Sequence, residues 1–122
     1  MAGGTVRIGG AAAAWGDTTR GARQLVEKGN LDYLVGDYLA EVTMALLARA
    51  RAKSPDAGFV PDWLASVVPI LPEIKRQRIR LITNSGGMNP KACRDAFEAA
   101  AAEAGLSFKV AVVCGDDLLS LK

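Results

Sequence analysis

Apolar positions along the chain alternate between short, β-branched runs and stretches with helical spacing. Val6-Arg7-Ile8, Asp32-Tyr33-Leu34-Val35, Arg80-Leu81-Ile82-Thr83 and Lys109-Val110-Ala111-Val112-Val113-Cys114 read as four buried strands. A helix is predicted over about Thr18 to Lys28, capped by Asp17 and ended by Gly29-Asn30. A second runs from about Tyr38 to Lys53, and its apolar positions Leu39, Val42, Leu46, Leu47 and Ala50 form a stripe expected to pack on a sheet. A third begins near Pro61 and is disturbed at Pro69 or Pro72. The last covers Pro90 to Ala104, with Cys93, Phe97, Ala100 and Ala104 on one side and Gly105 past its end.

Strict strand–helix alternation argues an α/β fold: an open, mostly parallel sheet with helices on both faces, Rossmann-like in organisation. No helix follows the run that ends at Cys114. The chain, residues 1–122, is therefore expected to be a truncated, N-terminal part of a larger unit, unstable or self-associating when isolated.

Each apolar run ends in Gly with Asp or Asn: Gly9-Gly10 then Trp15-Gly16-Asp17, Gly36-Asp37, Asn84-Ser85-Gly86-Gly87, and Gly115-Asp116-Asp117. In an open parallel sheet the carboxyl ends of the strands share one edge, and ligands sit in the crevice beside it. Asp37, Asn84 and Asp116 are thus expected along one edge, within a substrate's length of each other. The richest of these loops is Asn84-Ser85-Gly86-Gly87-Met88-Asn89-Pro90, where Asn89 can cap a helix and Pro90 can occupy its first turn. Its glycines permit a tight turn, and N–H groups at the helix start attract phosphate or carboxylate. Gly10, Asn84, Ser85, Gly86, Gly87 and Asn89 are accordingly the candidate ligand-binding residues; the structural alternative is a well-built turn that binds nothing.

Asp37 and Glu41 are four residues apart and would share one helical face, as an acid–base or metal pair. Equally, Asp37 could cap the helix while Glu41 favours the positive end of its dipole. Asp116 and Asp117 follow a strong β run, where α/β enzymes place catalytic carboxylates; a solvated turn is the competing reading. Asp37, Glu41 and Asp116 are the candidate catalytic residues.

Composition narrows the chemistry. Histidine is absent, which removes Ser-His and Cys-His nucleophile pairs and the commonest zinc ligand. Cys93 and Cys114 lack metal-ligand spacing and are expected as reduced, buried thiols. Neither the dinucleotide fingerprint nor a P-loop occurs, so no cofactor or metal is named by sequence. The formal charge is +2, and the basic run Lys75 to Arg80 reads as a helix end. Nucleic acid is not an expected partner, a small-molecule ligand is, and without a signal or spanning segment the default location is the cytoplasm, away from membranes.

Ile8-Gly9-Gly10 with Trp15-Gly16-Asp17, Gly29 to Val35 with Asp37-Tyr38-Leu39-Ala40-Glu41-Val42-Thr43-Met44, Asn84 to Pro90, and Val112 to Leu118 occur in that order over nearly the whole chain. Together they resemble the N-terminal domain of the acyclic terpene utilisation (AtuA-like) proteins. The resemblance implies a longer bacterial protein with a role in breaking down acyclic monoterpenoids such as citronellol and geraniol, whose intermediates are coenzyme A thioesters. Two readings remain: an enzyme domain that holds an acyl thioester or acid at the Asn84 to Asn89 loop, with Asp37, Glu41 and Asp116 as acid, base or metal ligands, or a non-catalytic binding or scaffolding domain for a partner enzyme, with self-assembly open to either. Ala11 to Ala14 stand where more glycine is expected, and Gly21 and Gly36 read as departures that loosen their elements.

Overall fold

The computed structural model describes residues 3–121. Three strands, β1 (Ile8–Ala12), β2 (Tyr33–Gly36) and β3 (Arg80–Thr83), form a parallel sheet in the order β1-β2-β3. The class is the α/β architecture that the alternation predicts. Ile8, Tyr33 and Arg80 stand in one row, Gly9, Leu34 and Leu81 in the next, with an irregularity between Gly10 and Ala12.

Because side chains alternate across a strand, the rows sort into two faces. One carries Gly9, Ala11, Leu34 and Gly36, all buried. Helix α1 (Arg20–Lys28) lies on it through Leu25 against Gly9, and α3 (Asp62–Val67) through Trp63 against Gly36. Val67, Ile70, Leu71 and Ile74, from α3, a single 3-10 turn (Val68–Ile70) and α4 (Leu71–Gln77), complete the core with Phe97 and Ala101 of α5 (Pro90–Glu103). The two prolines explain the broken helix: Pro69 lies in the 3-10 turn and Pro72 in the first turn of α4, where a missing N–H costs nothing. On the other face Tyr33 and Val35 are half-buried, whereas Ile8 is 66% and Ile82 52% exposed.

Helix α2 (Glu41–Lys53) differs from its sequence reading. Val42 and Leu46, expected against the sheet, are 72% and 47% exposed, and the buried positions are Thr43 and Leu47. The reason is where the helix sits: Leu47 packs on the backbone at Gly87, and Arg51 on Gly58, so α2 covers the loops at the carboxyl edge rather than a sheet face.

The expected fourth strand is not formed. Phe108 is anchored to α5, edge-on to Phe97 at 5.4 Å, with the Lys75 ammonium 4.7 Å from its ring centre and donating to the Ser107 carbonyl at 2.6 Å. That anchorage carries residues 108–113 past β3 without pairing, and a groove of about 770 Å³ lies between them. The alternation survives: Phe108, Val110 and Val112 are half-buried, while Lys109, Ala111 and Val113 face outward.

Gly21 and Gly36 tighten rather than loosen. A Cβ at Gly21 would lie 2.5 Å from the Ala11 carbonyl oxygen, and one at Gly36 2.6 Å from the Trp63 ring. Each is a point of close approach that only glycine allows.

Candidate functional site

The strands end at Ala12, Gly36 and Thr83, and the loops beyond them are stitched together. Asp37 N–H donates to Ala12 O at 3.1 Å, and Thr83 Oγ1 to Gly36 O at 2.9 Å. Asn84 then bridges two loops. Its Nδ2 donates to Asp37 Oδ1 at 2.7 Å, and its Oδ1 accepts from Tyr38 N–H at 2.8 Å. Asp37 therefore precedes α2 by four residues and caps nothing, because the Asn84 contact and the burial of Tyr38 against Trp63 (6.3 Å, edge-on) delay the helix to Glu41. The helical face proposed for Asp37 and Glu41 does not exist as such. Glu41 is exposed in the first turn of α2.

The Asn84 to Asn89 loop mostly satisfies itself. Ser85, Gly87, Met88 and Asn89 N–H groups donate to Thr83 Oγ1, Asn84 O, Gly58 O and Gly86 O. Asn89 accepts from Ala92 N–H as the α5 cap and donates to the Pro55 and Ala57 carbonyls, so its amide is fully engaged. Ser85 is completely buried, with Oγ 3.6 Å from Cys93 Sγ, and its side chain does not reach solvent. Burial pushes the Cys93 thiol up, against the Ser85 hydrogen bond, which suits an inert buried thiol. Cys114, by contrast, is exposed. Gly86 stands close against Pro90, where a Cβ would meet its Cα at 2.8 Å, and Gly87 adopts φ +51°. Gly10 lies apart from these residues, on the open face of the sheet beside Val35. It belongs to β1 rather than to the edge.

Asn84 and Asp116 line one groove, with β3 on one wall and residues 108–113 on the other. Leu39, Trp63, Leu81, Phe97 and Val110 make its apolar surface, and Arg80, Arg94 and Lys109 also border it. A second cleft of about 600 Å³ shares Gly87, Pro90 and Asp116 and lies on the α2 side of the loop. There Arg51 Nη1 donates to Met88 O at 2.6 Å and forms an ion pair with Asp117 Oδ2 at 2.7 Å. The Arg51 guanidinium holds the Asp117 carboxyl below its usual range. Sequence reading missed Arg51, although Thr43, Leu47 and Arg51 stand at successive i, i+4 positions and so share one helical face.

Asp17 closes the first loop instead of capping α1: it accepts from Ala13 N–H at 3.0 Å and Thr18 N–H at 2.7 Å, which lowers its pKa. Asp62 reaches across to accept from Gly16 N–H at 3.0 Å. Among the described residues no three carboxylate or thiol groups gather as a metal cluster, and no helix is long and apolar enough to cross a membrane.

The sequence profile of "Acyclic terpene utilisation family protein AtuA" matches residues 6–122. The chain belongs to that family. This membership agrees with the blocks at Asp37 to Met44 and Asn84 to Pro90, which the structure brings together through the Asn84–Asp37 contact. No curated protein and no solved structure matches the chain.

Proposed function

We propose that this member of the acyclic terpene utilisation family binds an anionic small molecule, an acyl thioester or the corresponding acid, in acyclic terpene breakdown. The observation that carries the reading is the groove beside β3, mainly apolar but bordered by Arg80, Arg94 and Lys109, with Asn84 and Asp116 at the carboxyl edge. Ligand sites are commonly concave, mainly apolar and furnished with a few converging polar groups. In this reading the hydrocarbon chain lies between Leu81 and Val110, and the reactive end faces Asp116 as acid or base, with Asp37 behind Asn84 and Glu41 outside the groove lining. Asn84 acts by holding Asp37 and the Tyr38 backbone in place. Ser85 and Asn89 support the loop from beneath.

A series of straight and branched acyl thioesters and free acids of increasing chain length tests this by calorimetry. Each methylene that enters the groove should add about 0.8 kcal/mol of binding free energy. Val112→Glu, which places a carboxylate on the wall, should abolish the trend. An affinity independent of chain length rejects the groove as the site.

A further inference from the structure

Arg51 is the best-held cation at this edge of the molecule. Its side chain is 28% exposed, it is tied to Met88 O, and its stem packs against Gly58. Its carboxylate partner comes from a segment of the opposite character: residues 113–121 are all exposed, Gly115 turns at φ +129°, and among the described residues the other group that Asp117 accepts from is the nearby Leu119 N–H at 3.1 Å. Both contacts of Arg51 use Nη1, so Asp117 takes one end of the guanidinium rather than the paired N–H groups of its fork. Around this contact is the 600 Å³ cleft, walled by Met44, Ala48, Met88 and Leu118, with Lys91 as a second cation.

We propose that Arg51, with Lys91, is the anion-binding centre of this protein, and that Asp117 occupies it as a built-in competitor that a ligand phosphate or carboxylate displaces. The inference rests on the reading of the domain as a binder of anionic small molecules, and it moves the anion from the loop backbone, most of whose donors are engaged, to the α2 side of the loop. A fork-on anion gains two parallel charge-assisted hydrogen bonds where Asp117 meets a single nitrogen, and an ion pair whose carboxylate is 45% exposed is weak. Displacement frees the residues 114–121, which also border the groove at Asp116.

Titration of the protein with inorganic pyrophosphate, and separately with hexanoate, followed by the Arg51 Nε resonance, tests the proposal and separates phosphate from carboxylate as the ligand group. Asp117→Asn should tighten binding of the preferred probe about fivefold, the worth of the lost competition. Arg51→Gln should abolish binding, and Lys91→Gln, an exposed change that leaves the Met88 contact intact, should weaken it. Unchanged affinity in Asp117→Asn, full binding by Lys91→Gln with an unmoved Arg51 resonance, or no binding of either probe overturns it. A chain-length trend that persists alongside such a result leaves the groove standing and removes only the Arg51 centre.

Discussion

Asn84 and Asp37 are joined across 2.7 Å at the carboxyl edge of the sheet, forty-seven residues apart in sequence, and the same amide of Asn84 accepts from Tyr38 N–H. One side chain thus fixes the path of the chain from β2 into α2. Asn84→Ala should lower stability by about 1–2 kcal/mol, because the half-buried Tyr38 N–H loses its partner. Asn84→Asp keeps the acceptor but sets a second carboxylate beside Asp37, so its deficit should shrink with added salt or falling pH. Denaturant midpoints for both variants at two ionic strengths check this; a neutral Asn84→Ala means the contact positions nothing.

Gly36→Ala is expected to be among the most damaging of small substitutions. The added methyl would meet the Trp63 ring at 2.6 Å and the Tyr38 ring at 2.8 Å, two aromatic groups already packed edge-on. Overpacking of this kind costs about 1–3 kcal/mol. Near-ultraviolet circular dichroism should report the disturbed Trp63–Tyr38 pair alongside the lowered melting temperature. A variant as stable as the parent, with unchanged spectra, would show the site to be plastic.

Much of the fold was legible because it rests on local rules. The parallel strands through Tyr33–Gly36 and Arg80–Thr83, the Asn89 cap with Pro90, and the proline break at Pro69 all follow from hydrophobic period and backbone chemistry. What escaped depends on distant partners. The stripe Val42 and Leu46 has helical spacing, yet spacing alone does not say which neighbour α2 finds, and Gly87 drew Leu47 to the loops instead. Lys109 to Val113 has strand composition and alternation, but Phe108 is committed to α5 and holds the run off β3. At the edge, Asn84 and Asp37 meet through a hydrogen bond that neither loop shows by itself, while Ser85 is buried and Asn89 is tied to the Pro55 and Ala57 carbonyls. Arg51 carried no motif; only the fold reveals that its guanidinium meets a cleft.

The first turn of α4 carries a pH-dependent tie. Arg76 and Gln77 both hydrogen-bond the Glu73 carboxylate and hold its pKa down to about 2. A lowered folded value means the stabilisation is fully present above the ordinary carboxylate pKa of 4.5 and is lost as pH falls toward about 2. Melting temperatures of the parent and Glu73→Gln should therefore differ above pH 4.5 and converge as acid is added. A constant gap across that range rules the tie out.

Ile8 and Ile82 flank the half-buried Val35 and Tyr33 on the sheet face that the described residues leave open, and β3 offers an unpaired edge beside them. Arg80, whose guanidinium donates to Tyr33 Oη at 3.0 Å and lies over its ring, is the charged group in those rows. Parallel sheets ordinarily have both faces covered, and an exposed apolar face with a free edge favours association. The chain studied by itself should accordingly show a sedimentation coefficient that rises with concentration. Replacing both isoleucines by threonine keeps the β-branched shape that a strand prefers while removing apolar surface, so association should fall and stability should change by only about 0.5 kcal/mol. A parent chain that stays monomeric throughout the concentration series, with the double variant indistinguishable from it, would show that this face needs no cover.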